Sequence, residues 1–270
     1  MAPCITPNIC WVDGTASFVP SEIGGKAFGL NRLITWRFDV PSFFVVLGGQ
    51  KLTPGFSSEI AMAADKLAGK EQGGALFAVR SSASVEDGIN SSFAGMFNTY
   101  LSVSRAALVP RIADCRNSLR NERTREYAER CRVNLETVVV NVIVQRMIQA
   151  EYSGVAFSID PVFRDSNLMV VELVRGSGEK LVAGHVTPDT VRIEKRTEEI
   201  VGIEWGECGL SGDSDLASRL IRIIARNVLE IEMRFGASVD VEFAIKGSAL
   251  YLLQARPITA LRPESLTVFG

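Results

Sequence analysis

Two segments near the C-terminal end of the chain carry a carboxylate, an amide and a guanidinium at alternating positions. Residues 237–259 alternate with a period of two, which predicts two antiparallel strands joined by a three-residue loop over 247–249. In this register Asp240 lies opposite Arg256, and Glu242 lies opposite Gln254. Oxygen ligands suit Mg²⁺, which keeps waters and binds phosphate oxygens, and a fixed guanidinium suits phosphate.

The opposite face of this predicted hairpin is apolar. Its predicted pairs are Val241 with Ala255, Phe243 with Leu253 and Ile245 with Tyr251. A slip of one residue would break both the polar and the apolar set, so the alternation predicts one register. An ordinary half-buried hairpin with a solvated polar face would show the same alternation, and the spacing alone leaves both interpretations open.

Two earlier segments place cations beside flexible or exposed main chain. A glycine pair precedes Lys26 and a segment of helical spacing, so main-chain amides and one lysine can approach an anion. A flexible turn with a solvated lysine would have the same sequence. Arg80 stands in a predicted strand, and a loop rich in serine then runs through Gly95 to Thr99. Such a loop is typical of a lid over phosphates or of an ordinary surface loop.

These residues need a framework of strands and helices to hold them. Buried strands are predicted over 40–46, from residue 77 onward, over 137–147 with Gln145 near its end, and over 168–174. Amphipathic helices are predicted over 57–69, 105–131 and 213–235.

The composition limits the classes of function. The chain has 270 residues, is 47% hydrophobic and has a net charge of −2, which gives ample core and no basic field for nucleic acid. The five cysteines lack metal-ligand spacing, and their odd number argues against a disulfide framework, so we expect a reducing cytoplasm. No signal peptide or membrane-spanning segment is expected.

Five motifs in order resemble the ATP-binding domain shared by phosphoenolpyruvate synthase, pyruvate phosphate dikinase and rifampicin phosphotransferase. They read GGKAFGL, AVRSSASVED, SFAGMFNTYL, SGVAFSIDP and QARP in this chain. The family domain is of the ATP-grasp type, so the resemblance implies a two-lobed α+β nucleotide-binding domain with mainly antiparallel sheets. Ser42 and Ser177 replace a glycine and a leucine of the family pattern.

The resemblance also implies a role for each site residue. The family's positions for phosphate contact and catalysis match Lys26, Arg80 and Arg256. Its other nucleotide contacts match Gly95, Thr99 and Gln145, and its positions at the nucleotide Mg²⁺ match Glu242 and Gln254. The expected first lobe covers 1–104, a helical connector covers 105–135, the second lobe covers 136–262 and a tail covers 263–270. Lys26 and Arg80 are assigned to the first lobe, and Gln145, Glu242, Gln254 and Arg256 to the second.

The same family passes phosphate to a histidine on a separate domain, and the single histidine of this chain, His185, matches the ATP domain instead. We therefore expect a MgATP-binding phosphotransferase component that phosphorylates a histidine on a partner domain or subunit, for onward transfer to a small molecule. A stand-alone small-molecule kinase is the alternative among enzymes, and a regulatory ATP-binding module is the alternative without catalysis.

Overall fold

The computed structural model describes residues 4–6, 8–71, 74–84, 87–88, 91–92, 98–130, 133–178, 181, 184–207 and 214–258. The chain divides into two compact units, Met1–Ile148 and Gln149–Gly270. Each unit contains one six-stranded sheet in which all neighbouring strands are antiparallel. The predicted α+β class with mainly antiparallel sheets is confirmed.

The first unit holds most of the helices. Its elements are β1 Cys4–Thr6, β2 Ile9–Val12, α1 Pro20–Ile23, α2 Gly25–Thr35, β3 Phe43–Val46, α3 Pro54–Ala68, β4 Leu76–Ala83, β5 Asp87–Gly88, β6 Ser91–Ser92, β7 Thr99–Ser104, α4 Leu108–Asn117, α5 Glu122–Arg130 and β8 Val140–Arg146. Short 3-10 helices cover Gly69–Glu71, Arg105–Ala107, Ser118–Arg120 and Leu135–Thr137. The six-stranded sheet has the order β1-β2-β3-β8-β4-β7, and β5 pairs with β6 separately.

One face of the first sheet packs against α3 and α4. Residues of five strands, such as Phe44, Val79 and Val144, join Ile60 and Ile112 of the helices in one buried cluster. Helix α3 begins where the Thr53 side chain accepts a hydrogen bond from the Phe56 amide, with a proline in the first helical turn. Polar side chains of the same strands, such as Arg80 and Gln145, lie on the opposite face of this sheet.

The segment expected as a helical connector belongs to the first unit. Helix α4 packs on strands β4, β7 and β8, and its Leu108, Ile112 and Cys115 are buried. The single helix predicted over 105–131 is instead interrupted at Ser118–Arg120, where the chain turns into α5. The sequence does not reveal such a break, because Ser118–Arg120 contains neither glycine nor proline.

The second unit consists of one sheet and one long helix. Its elements are β9 Tyr152–Phe157, β10 Leu168–Arg175, β11 Asp189–Glu194, β12 Glu199–Glu204, α6 Ser214–Phe235, β13 Val239–Lys246 and β14 Ala249–Pro257. The sheet order is β12-β11-β10-β9-β13-β14. Helix α6 packs on β9, β13 and β14 and buries Ile224, Val228 and Ile231. This helix fits the predicted one within a residue.

A polar contact fixes the start of the last hairpin to α6. The Ser158 hydroxyl donates to Glu232 at 2.9 Å and accepts from the Val239 amide at 2.8 Å. Lys195 donates to the same carboxylate at 2.8 Å. Because these groups bond to one another, the strand that carries Glu242 begins at a defined place on the helix.

The boundary between the units differs from the predicted one. Strand β8 lies between β3 and β4 in the first sheet, and the division follows Ile148, whereas the second lobe was expected to begin at residue 136. Gln145 therefore belongs to the first unit. A run of β-branched residues fits a central strand of either sheet, so sequence alone does not identify the partners of this strand. Among the described residues, no helix is both long and apolar enough to cross a membrane.

Candidate functional site

Lys26 lies in the first turn of α2 and is half-buried. Its ammonium donates to the main-chain oxygen of Ser81 on β4 at 3.3 Å. The lysine is thus held against the strand next to Arg80. A cation at the N-terminus of a helix adds to the positive end of the helix dipole, which favours an anionic ligand.

Gly24 explains how this helix approaches the strand so closely. It has φ of +84°, and a Cβ atom built there would lie 2.1 Å from the Ser82 main-chain oxygen. The Ser82 hydroxyl accepts from the Ala27 amide and donates to the Ile23 oxygen, both at 3.0 Å. Gly24, the first glycine of the pair, therefore permits a close contact between helix and strand.

Arg80, Gln145 and Thr99 lie on one face of the first sheet. Arg80 is opposite Thr99 of β7 on one side and Ile143 of β8 on the other, and Gln145 is opposite Ala78 of β4. Since Val79 and Val144 belong to the core under α3 and α4, these three polar residues occupy the other face. Arg80 and Gln145 are buried, and Thr99 is exposed.

The amide group of Gln145 is fixed by the main chain. Its Nε2 donates to the Pro41 oxygen at 3.0 Å, so the carboxamide has a defined orientation beside β3. Gly95, the other predicted nucleotide contact of this unit, lies outside the described residues.

The last hairpin places the second group of predicted residues. Glu242 is opposite Gln254, and Asp240 is opposite Arg256, as the alternation predicts. The guanidinium of Arg256 donates twice to Asp240 Oδ2, from Nε at 2.9 Å and from Nη2 at 2.7 Å. Arg256 is thus oriented by a carboxylate on the same face of the sheet.

The turn end of the hairpin differs from the prediction. The loop has two residues, Gly247 and Ser248, and the register shifts between Glu242 and Phe243. The observed pairs there are Phe243 with Leu252, Ala244 with Tyr251, Ile245 with Leu250 and Lys246 with Ala249. The predicted pairs Phe243 with Leu253 and Ile245 with Tyr251 are therefore wrong, whereas Val241 with Ala255 is confirmed.

The extra residue sits in the strand, as a bulge at Leu253, and not in the turn. A two-residue loop that begins with a glycine is a favoured hairpin connection, and Gly247 has the positive φ of +60° that such a loop needs. The bulge then restores the register at Gln254.

The Glu242 and Gln254 pair fits Mg²⁺. Their carboxylate and carboxamide oxygens are hard donors on one face, and Mg²⁺ needs only one or two protein ligands when phosphates and waters complete its shell. Over the described parts of the chain, no group of three or more His, Cys, Asp and Glu residues surrounds a metal position. A two-ligand set with an amide is compatible with that finding.

One polar residue on the same sheet has no predicted role. Glu172 lies in the middle of β10, is half-buried, and is opposite Val155 of β9, which is in turn opposite Glu242. Burial raises the pKa of the Glu172 carboxyl above its ordinary value. The sequence contains a signal for it, because this is the one charged residue within the apolar run LMVVELV.

A family model described as pyruvate phosphate dikinase, AMP/ATP-binding domain, matches residues 47–267. The chain belongs to this family. The predicted resemblance is confirmed, and the chain is an AMP/ATP-binding domain of the pyruvate phosphate dikinase type. Thr99, Gln145, Glu242, Gln254 and Arg256 fall within the matched residues, as do Arg80 and Gly95, whereas Lys26 precedes them.

Curated relatives of this ATP-binding domain carry several names. A prodigiosin synthesizing transferase PigC of Serratia marcescens is 31% identical over 92% of this chain and 33% of its own length. A probable phosphoenolpyruvate synthase of Methanocaldococcus jannaschii is 35% identical over 68% of this chain and 17% of its own. A rifampicin phosphotransferase of Bacillus subtilis is 34% identical over 86% of this chain and 27% of its own. The chain thus spans a third or less of the length of these relatives.

A solved structure of D-alanine–D-alanine ligase from Helicobacter pylori also matches the ATP-binding domain. It is 11% identical, with a TM-score of 0.41, over 89% of this chain and 55% of its own.

Proposed function

We propose that this ATP-binding domain binds MgATP and starts a dikinase-like phosphotransfer, in which a histidine on a separate domain receives the phosphoryl group and passes it to a small molecule. The observation that carries the proposal is the family membership together with the Glu242 and Gln254 pair on the closing hairpin. The proposal extends to the acceptor histidine and the small molecule, which lie outside this chain.

The proposed roles follow the chemistry of each side chain. Lys26, Arg80 and Arg256 stabilise negative charge on the phosphates, and Glu242 and Gln254 hold Mg²⁺, which neutralises phosphate oxygens when bound. Gly95, Thr99 and Gln145 complete the nucleotide contacts. The burial of Arg80 and the main-chain bond of Lys26 support this assignment, because preorganised charges stabilise a transition state more than mobile ones.

The transfer step needs a nucleophile from outside this domain. A ring nitrogen of the partner histidine attacks a phosphorus atom of ATP, and the bond from that phosphorus to the departing nucleotide oxygen breaks. His185 is exposed and lies between β10 and β11, away from the hairpin in sequence. We propose no covalent role for it.

The decisive experiment incubates the domain with Mg²⁺, a candidate histidine-bearing domain and ATP labelled separately at the β- and γ-phosphates. We expect acid-labile, base-stable label on the partner, with AMP or ADP identified by chromatography. His185→Ala should give the same label as the wild type. Stable phosphohistidine at His185 during turnover would contradict the proposal, and label on a small molecule without any partner would favour the stand-alone kinase. Nucleotide binding without any transfer to any acceptor would favour the regulatory module.

A reducing cytoplasm is part of the proposal. The thiols of Cys10 and Cys115 are buried. Burial raises the pKa of the Cys115 thiol to about 11, so it stays protonated and unreactive near neutral pH. Protonated, buried thiols need no oxidising compartment for the fold.

A further inference from the structure

Glu172 shares a face of the second sheet with Glu242. Their strands, β10 and β13, are separated only by β9, and Val155 is opposite both residues. Two strand spacings put the two backbones about 10 Å apart. Val155 and Phe157 are half-buried on the same face of β9, so an apolar strip lies between the two carboxylates.

The surroundings of Glu172 set it apart from other carboxylates on this face. Within the described residues, its side chain forms no hydrogen bond and no ion pair, and desolvation is the one cause of its raised pKa. Asp240 binds Arg256, and Glu194 binds Thr197 and Arg196. A half-buried carboxylate in an otherwise apolar strand, with no partner among the described residues, is typical of a position that faces a ligand.

The chemistry of that ligand group follows from the carboxylate. An ionised carboxylate only accepts hydrogen bonds, and it repels phosphate. The facing group must therefore be a donor. In ATP the donors are the ribose hydroxyls and the adenine amino group, and both lie at the end of the molecule away from the terminal phosphates.

The distance to Glu242 agrees with this choice. One nucleotide lying across β9 would place its metal-bound phosphates at Glu242 and Gln254 and its sugar or base near Glu172. The half-exposed Val155 and Phe157 would then contact the apolar surfaces of sugar or base, which is what nucleoside sites commonly offer.

We infer that Glu172 is a further nucleotide-binding residue of this domain, whose carboxylate accepts a hydrogen bond from the hydroxyl- or amine-bearing end of ATP. The inference rests on the proposed function, because it requires the hairpin to hold the phosphate end. It adds to the phosphate- and metal-binding residues of the hairpin a contact that selects among nucleotides.

The test is equilibrium binding to the wild type, Glu172→Ala, Glu172→Gln and the control Glu194→Gln. Glu194 is a half-buried carboxylate on the same face but has its own partners. The ligands, all with Mg²⁺, are ATP, 2′-deoxy-ATP, 3′-deoxy-ATP, inosine triphosphate and tripolyphosphate. We expect Glu172→Ala to weaken ATP binding about tenfold to a hundredfold, the value of one hydrogen bond to a charged group. Tripolyphosphate binding should not change, and Glu194→Gln should bind like the wild type.

The nucleotide analogues identify which group of ATP donates the hydrogen bond to Glu172. If the donor is a ribose hydroxyl, the wild type discriminates against one of the deoxy nucleotides, and Glu172→Ala loses that discrimination. If the donor is the amine, the same loss occurs with inosine triphosphate. Either pattern supports the inference.

Three outcomes would overturn it. Unchanged ATP affinity in Glu172→Ala, with tight binding by the wild type, removes the inference and leaves the proposed function intact. Equal weakening of tripolyphosphate and ATP means that Glu172 acts at the phosphate or metal end. A wild-type domain that binds no nucleotide defeats the proposed function itself. Thermal unfolding of each variant checks that it is folded, and Glu172→Gln keeps the side-chain shape if Glu172→Ala is unstable.

Discussion

Lys26 and Gln145 of the first unit and Arg256 of the second unit are oriented by different kinds of partner. Lys26 donates to the Ser81 carbonyl, and Gln145 donates to the Pro41 carbonyl. On the hairpin, Arg256 donates to the Asp240 carboxylate. A main-chain oxygen contributes only a dipole, whereas the Asp240 carboxylate carries a full charge that partly balances the charge of Arg256.

The difference predicts how each unit responds to substitution. Arg80 is buried in the first sheet, and a lysine there could not reproduce its planar guanidinium with five donors. On the hairpin Glu242 is half-buried and Gln254 is buried. In the proposed site both would bind one Mg²⁺, so the loss of one ligand would leave the other, the waters and the phosphates to compensate. Substitutions in the first unit should therefore cost more activity than those on the hairpin.

The largest effect is expected for Arg80→Lys. A buried planar fork becomes a point charge, which should lower the phosphotransfer rate about 10²–10³-fold. The measurement is the transfer rate of label to the partner domain. Arg146→Lys is the matched control, because Arg146 belongs to the same sheet and pairs with the exposed carboxylate of Glu71. Comparable turnover by Arg80→Lys and the wild type would contradict the claim that substitutions in the first unit cost more activity than those on the hairpin.

A smaller effect is expected for Glu242→Ala. The loss of a carboxylate oxygen should weaken MgATP binding about tenfold to a hundredfold, in the range that metal-site substitutions commonly cost. Glu242→Gln should be nearly as damaging, because its neutral amide does not offset the charge of Mg²⁺. Calorimetric titrations with Mg²⁺ and with a chelator separate metal binding from nucleotide binding. MgATP affinity equal to that of the wild type would remove Glu242 from the metal site.

The close contact of α2 with β4 can be tested through stability. Gly24→Ala and Gly49→Ala both place a Cβ at positive φ, but only Gly24 meets other atoms, since nothing lies within 4 Å of the Gly49 position. The backbone strain alone should cost about 1–3 kcal/mol of the free energy of unfolding at Gly49, and Gly24→Ala should cost more. Urea unfolding measures both. Equal losses would show that the helix moves away from Ser82 without penalty.

The smallest expected effect is on the pH dependence of the unfolding free energy, through two carboxylates of the second unit. Burial opposes ionisation of Asp160, but the amides of Phe163 and Val162 and the Arg192 guanidinium outweigh it and lower its pKa below 3.8. Its stabilisation is present above pH 3.8 and is lost as pH falls through its folded pKa. The raised pKa of Glu172 has the opposite sign, so a destabilisation develops as pH rises above 4.5 through its folded pKa.

Substitutions should therefore have opposite consequences at neutral pH. Glu172→Gln should raise the unfolding free energy slightly at pH 7 and hardly at all at pH 4, and Asp160→Asn should lower it at pH 7. Denaturant unfolding of both variants and the wild type between pH 4 and pH 7 measures these changes in unfolding free energy. A loss of stability in Glu172→Gln at pH 7 would reveal a stabilising partner for this carboxylate.

Local patterns in the sequence predicted the parts of the structure that depend on local alternation. The register of Glu242 with Gln254 follows from strict alternation on both strands. The predicted pairs at the turn end of the hairpin were wrong. Leu252 and Leu253 are both apolar, so alternation does not tell which of them is the extra residue. The helix break at Ser118–Arg120 was not predicted because the segment contains neither glycine nor proline.

Features that depend on distant pairing were not predicted. The sheet that contains Gln145 is decided by strand partners far away in sequence, and β-branched composition does not specify them. Only the assembled sheet shows that Glu172 has no hydrogen-bond or ion-pair partner among the described residues. The family resemblance identified residues that match phosphate- and metal-binding positions, because those positions occur in short motifs, and it left the donor-facing carboxylate unmarked.

The bulge at Leu253 means that one residue of strand β14 has no opposite residue on β13. Deletion of Leu253 would join Gln254 directly to Leu252, whose partner Phe243 already adjoins Glu242, so the ladder could straighten with every other pair kept. Deletion of Ala255 offers no such slack and would draw Arg256 away from Asp240. The turn half of this hairpin can therefore lose one residue without displacing the carboxylate and amide at its base.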